Sequence, residues 1–218
     1  RLKNNPPGEE EWNQSGIDWM KTVAGGLKSL VGSVGTAVYA SVQPLRTKAW
    51  ERFEIKSSTG SGDQLLARYA FEGNVNDVTG NGHDGTPHGA VFEPGVEGEA
   101  LSLDGADDYV ALPSINLGQN SFTIAGWVRP DDLSGANVLY SNGEGTGGCD
   151  DGIRSFGTQQ NSHLWFKVEC VLQQEGSVSL SAGNWHHIAL TANKATGTAT
   201  FYVNGEKDLS FSADGIWD

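Results

Sequence analysis

Five aspartates fall in two short glycine-rich stretches of this chain: Asp77 and Asp84 in DVTGNGHDG, and Asp104, Asp107 and Asp108 in LDGADDYV. A hard divalent cation such as calcium takes about six to eight oxygens from carboxylates, backbone carbonyls and water, and a loop bent by glycine can wrap its carbonyls round an ion. Asp77 and Asp107 lead as metal ligands, with Asp84 and Asp108 behind them. The same residue types also close turns, because Asp side chains accept hydrogen bonds from nearby backbone N–H groups. On residue type alone both readings stand. A third acidic stretch, NGEGTGGCDDG over residues 142–152, offers Glu144, Asp150 and Asp151 as ligand contacts on a loop rim, or is simply a solvated surface loop.

The chain contains two cysteines, Cys149 and Cys170. A bond between them would staple neighbouring strands and suits an oxidising compartment; the alternative is two buried thiols. Catalytic patterns are missing. No Gly-x-Ser-x-Gly, His-Glu-x-x-His, phosphate loop or Cys-x-x-Cys occurs. Adjacent His186 and His187 on a strand point to opposite faces and cannot readily share an ion, so one is expected packed and the other exposed.

These residues need a frame. With Asp and Glu at 27 against 14 Lys and Arg, the net charge of −13 repels nucleic acid and anionic membrane surfaces, leaving cations, neutral glycans or proteins as partners. No conventional membrane span is expected, because the sequence has no unbroken apolar run of about 18 residues. Residues 1–15 read as an extended polar arm. In residues 16–56, Ile17, Met20, Ala24, Leu27, Val31, Val34 and Val38 repeat at spacings of three and four, the stripe of a helix that would assemble with other chains or pack on its own β domain, the remaining reading being a mobile linker. A second short helix is expected over residues 48–55, with Trp50 and Phe53 on one face, and a flexible joint over 57–64.

From residue 65 onward the pattern changes to short alternating segments punctuated by Gly, Asp, Asn and Ser, without βα alternation. Thr198 to Val203 alternates, and Asn204-Gly205 follows it, which favours the positive φ angles of a tight hairpin into 207–211. Strands are also expected at 65–71, 100–103, 109–112, 122–128, 138–141, 153–156, 164–170, 178–180 and 186–191. Two packed antiparallel sheets are the expected fold.

In order, RYAFEGN (68–74), DVTGNGHDG (77–85), GVEGEAL (95–101), LDGADDYV (103–110), FTIAGWV (122–128), WHHIAL (185–190) and YVNG (202–205) closely resemble the laminin G-like modules of the concanavalin A-like lectin and glucanase superfamily. The resemblance implies an all-β jelly-roll sandwich over 65–218, behind the N-terminal helical segment. Calcium-binding members of that superfamily place the two aspartate loops near one part of the sandwich. Its glucanases use carboxylates spaced Glu-x-Asp with a further Glu, and no Glu-x-Asp-x-x-Glu occurs here. Such modules also continue beyond the YVNG hairpin to a closing strand that lies beside the first strand; this chain ends at Asp218, which would leave sheet edges open, so it is expected either to be a fragment or to have its sheet completed by another chain. The expected function is an extracellular, cell-surface or exported structural or adhesive protein that displays a non-catalytic module and assembles or anchors through its helix. The alternative is a calcium-dependent carbohydrate-binding module of a larger secreted protein.

Overall fold

The computed structural model describes residues 47–59, 62–113, 115, 117, 120–142, 154–159, 161–168, 170–213 and 215–217. The polar arm, the helical stripe, Cys149 and the candidates Glu144, Asp150 and Asp151 lie outside them. Strands in chain order are β1 (Thr47–Thr59), β2 (Gly62–Tyr69), β3 (Thr86–His88), β4 (Val91–Pro94), β5 (Glu99–Ser102), β6 (Tyr109–Ala111), β7 (Ser121–Pro130), β8 (Asn137–Ser141), β9 (Arg154–Thr158), β10 (Leu164–Val168), β11 (Leu172–Glu175), β12 (His186–Asn193), β13 (Thr198–Val203) and β14 (Glu206–Ser212).

Every pairing among these strands is antiparallel. Among the described residues the fold is all-β, as the periodicity from residue 65 onward requires. Among the described residues three sheets form where two were expected: an eight-stranded sheet in the order β14-β13-β12-β7-β1-β5-β4 with β2 also on β1, a four-stranded sheet β11-β10-β9-β8, and the small β3-β6 pair. Aromatic rings bridge the two larger sheets. Phe53 of β1 meets Tyr140 of β8 at 6.1 Å, and Phe156 of β9 stacks on Phe201 of β13 at 6.2 Å. Inward positions Phe122, Ile124, Ile188, Leu190, Phe201, Leu164 and Phe166 are all at most 2% exposed. Burying a large apolar side chain of this kind stabilises by about 1.5–3 kcal/mol.

The Asn204-Gly205 hairpin forms as expected. Asn204 has φ 52° and Gly205 φ 82°, and β13 pairs with β14 across the turn. Expected strand 178–180 is irregular backbone instead, although Leu180 is buried.

The largest correction concerns the segment before residue 65. Thr47–Thr59 is a strand rather than part of a helical segment, and it lies inside the eight-stranded sheet, with β7 on one side and β2 and β5 on the other. Residues assigned to a flexible joint pair across a turn, Thr59 opposite Gly62 and Ser57 opposite Gln64. The position beside the first family-like strand is therefore filled from the N-terminal side of this same chain. Phe53 at 6% and Ile55 at 0% exposure belong to the core, so the β fold starts upstream of residue 65.

Candidate functional site

The two aspartate loops have different geometries. Between β2 and β3, residues 77–85 wrap round one carboxylate. Asp77 accepts hydrogen bonds from the N–H groups of Arg68 (3.1 Å), Thr79 (3.0 Å) and His83 (3.3 Å), and from the Thr79 hydroxyl at 2.7 and 2.8 Å to its two oxygens. Its side chain is 0% exposed. Burial pushes the Asp77 pKa up, but the bonds from the Thr79 hydroxyl and from the N–H groups of Thr79, Arg68 and His83 outweigh it and leave the pKa lowered. Asp84 accepts from the Asp77 N–H at 2.8 Å. Gly85 lets this loop lie against the core, since a Cβ there would come within 2.7 Å of Val110.

Between β5 and β6, residues 104–108 form the other loop, anchored by buried Leu103 and Val110. Asp104 accepts from the N–H of Ala106 at 2.8 Å and of Asp107 at 3.4 Å, through Oδ1 in both cases; Asp108 accepts from the Asp104 N–H at 2.9 Å through Oδ2. The Ala106 N–H is the chief reason the Asp104 carboxyl is held below the usual range. One carboxylate oxygen on Asp104 and one on Asp108 stay outside these bonds. Ligand atoms of Asp104, Asp107 and Asp108 all lie within 4.8 Å of one another, an arrangement that can hold a metal ion.

This cluster borders a groove of about 570 Å³ whose lining includes five acidic residues, Glu93, Asp104, Asp108, Asp131 and Asp132. Val91 and Leu103 add apolar surface to its lining. Gly89 permits the close approach of β3's end to Asp108: it has φ +73°, and a Cβ would sit 1.7 Å from Asp108 Oδ1. At its edge Arg129 lies 4.0 Å from Glu93 and over the Trp185 ring at 5.3 Å. Oxygen-only donors and dense negative charge favour a hard cation.

Of the aspartates singled out in the sequence, the structure brings together Asp104, Asp107 and Asp108, and it keeps Asp77 and Asp84 out of that cluster. Asp77 could not be separated from the others by residue type, because what distinguishes it is its burial and the Thr79 hydroxyl bonded to both its oxygens. Glu93, Asp131 and Asp132 were missed altogether. They come from β4 and from the turn after β7, and only the sheet order carries them to the groove. The Glu-x-Asp spacing does occur once, as Glu206-Lys207-Asp208, without the further Glu. A register shift leaves Asp208 between Lys207 and Leu209 in the pairing with β13. Its Oδ1 accepts from Ser177 N at 2.8 Å, Ser177 Oγ at 2.8 Å and Val178 N at 3.1 Å, which makes it a loop tether.

His186 and His187 are both 8% exposed, which corrects the expectation of one packed and one exposed ring. Opposite faces do not mean one wet face here. His186 faces inward and receives the Ser181 N–H at 3.0 Å, while His187 lies edge-on to Trp127 at 5.3 Å on the other side of the sheet. Burial lowers both pKa values, that of His187 to about 4. Cys170 is disulfide-bonded. Among the described residues no helix is long and apolar enough to cross a membrane.

A laminin G family model, described as concanavalin A-like lectin/glucanases superfamily, matches residues 104–218. No curated protein matches the chain.

Proposed function

The chain belongs to the concanavalin A-like lectin/glucanases superfamily, and from that premise we propose that it is a non-catalytic binding or adhesion module of an exported protein, meeting its ligand at the acidic groove through a bound calcium ion. The observation that carries this reading is the convergence of Asp104, Asp107 and Asp108 within 4.8 Å at the mouth of a groove lined by further carboxylates. Five acidic side chains there repel one another, and a divalent cation relieves that repulsion. Asp104, Asp107 and Asp108 would hold the ion and supply about three of its six to eight oxygens. When bound, the ion supplies positive charge and open coordination positions for the hydroxyl or carboxylate oxygens of a ligand. Glycans and acidic protein side chains both offer such oxygens, and display of the module on a structural or adhesive protein fits either.

The chemistry of the chain supports binding over hydrolysis. Retaining glycosidases need two carboxyl groups about 5–5.5 Å apart flanking the scissile bond, one free to act as nucleophile. Asp208, in the Glu-x-Asp spacing, instead fastens a loop. A bond between Cys170 and Cys149 would tie the acidic stretch 142–152 to the segment after β10, consistent with an oxidising compartment.

The experiment is a broad glycan and matrix-protein panel probed with the chain in calcium and in chelator. Saturable binding that needs calcium and disappears in Asp107→Ala supports the proposal. No binder on the panel with calcium present, or binding indifferent to chelator, removes it.

A further inference from the structure

A second polar cluster lies in the four-stranded sheet, where the turn between β9 and β10 meets the end of β11 and the loop that follows. Ser179 Oγ lies 3.1 Å from His163 Nε2, and His163 Nδ1 lies 3.3 Å from Glu175 Oε1. The Asn161 side-chain N–H donates to that same Glu175 oxygen, and Asn161 Oδ1 accepts the His163 backbone N–H at 3.2 Å. The Glu175 contact at Nδ1 is an ion-pair distance without hydrogen-bond geometry, and a negative charge there favours the tautomer with its proton on that nitrogen, which leaves the Nε2 lone pair to accept a hydroxyl proton. Ser179 is then the donor, with its oxygen made more nucleophilic.

The loop that carries Ser179 is fixed on both sides. Gly176 N donates to Leu164 O at 2.8 Å, Ser177 N and Val178 N donate to Asp208 at 2.8 and 3.1 Å, and Leu180 N donates to Ser162 O at 2.9 Å. Gly176 makes this possible, because a Cβ there would meet Asp208 Oδ2 at 2.0 Å. Ser179's own N–H has no hydrogen bond among the described residues, so it is the donor available to a developing oxyanion. The hydroxyl is exposed, while the His163 side chain is only 22% exposed, so the reacting oxygen is accessible and the base behind it is partly shielded.

We propose that Ser179 is a nucleophilic acyl-acceptor site, with His163 as its base and Glu175 and Asn161 as positioning residues. Ser179 Oγ attacks the carbonyl carbon of an activated ester as His163 Nε2 takes the hydroxyl proton. The carbon–oxygen bond to the leaving alkoxide breaks, and that alkoxide leaves with the proton from His163. The products are a Ser179 ester and a free alcohol, with no oxidant, reductant or further reactant. The site is open, so the donor is a small activated acyl compound and the outcome is a stoichiometric modification of the chain. This site and the acidic groove share no residue, and each reading stands without the other.

The test incubates the full chain with p-nitrophenyl acetate and locates acetyl groups by peptide mass spectrometry, with thermal melts confirming that each variant is folded. Ser179 is expected to acetylate well ahead of exposed Ser177 in the unaltered chain, which needs no variant to read. His163→Ala should slow Ser179 labelling about 100-fold, the scale of general-base assistance, and added imidazole should restore it. Glu175→Gln should slow it by a smaller factor. Rescue by imidazole separates a base from a structural prop, because a lost loop contact is not replaced by a free ring. Equal labelling of Ser177 and Ser179, or a folded His163→Ala that labels at the original rate, overturns the proposal.

Discussion

Loop 77–85 turns its key aspartate inward, where three backbone N–H groups and one hydroxyl take up both oxygens of a side chain that is 0% exposed. In loop 104–108 the backbone uses Asp104 Oδ1 and Asp108 Oδ2, and exposed Asp107 stands beside them. Both stretches are rich in Gly and Asp. The difference is burial and the Thr79 hydroxyl that bridges both Asp77 oxygens, against carboxylates of Asp104 and Asp107 that stand exposed, and it separates an aspartate that builds a turn from aspartates that can meet an ion.

The strongest way to break this contrast is Asp77→Ala. It strands several buried donors, each costing about 1–3 kcal/mol when unmet, and a net loss of about 3 kcal/mol is expected in urea unfolding. A loss within the scatter of surface substitutions would put Asp77 back among the candidate ligands. Gly89→Ala attacks the other loop from outside, forcing a Cβ into the left-handed region and against Asp108. A cost of about 2 kcal/mol is expected, together with weaker calcium binding.

Acid titration of stability sharpens the comparison further. His187, buried with its pKa lowered from 6.5 to about 4, binds its proton more readily once unfolded, so stability should fall as pH drops across that window. Asp77, lowered from 3.8, contributes stability above that value which is lost as pH falls through its folded pKa. Asp77→Asn should flatten the lower stage and leave the upper one. A variant that leaves both stages unchanged would show that Asp77 does not carry the acid-labile turn. The smallest effect on stability belongs to Asp107→Ala, expected within about 0.5 kcal/mol of the unaltered chain by thermal melt.

Much of the sheet framework was legible because its chemistry is local. Asn204-Gly205 dictates a hairpin, and the apolar alternation of β7, β12 and β13 matches the faces they bury. The segment β1 was misread for an equally local reason. Trp50 pairs opposite Val128 and Phe53 opposite Gly126, with a register shift between Glu51 and Phe53, so three residues of β1 span two of β7. That bulge gives a strand the three-residue spacing of a helix face. The strict alternation of Phe53, Glu54, Ile55 and Lys56 after it was the better signal. Of the acidic groove, Asp104, Asp107 and Asp108 were visible as a loop, whereas Glu93, Asp131 and Asp132 reach it through pairings far apart in sequence, which residue order alone does not reveal.

Calorimetric titration of calcium into the chain and into its Asp107→Asn and Asp84→Asn variants tests the central claim most directly. Saturable binding is predicted in the unaltered chain and in Asp84→Asn, with affinity at least about tenfold weaker in Asp107→Asn. Absence of binding at millimolar calcium, or a loss that follows Asp84 rather than Asp107, would contradict it.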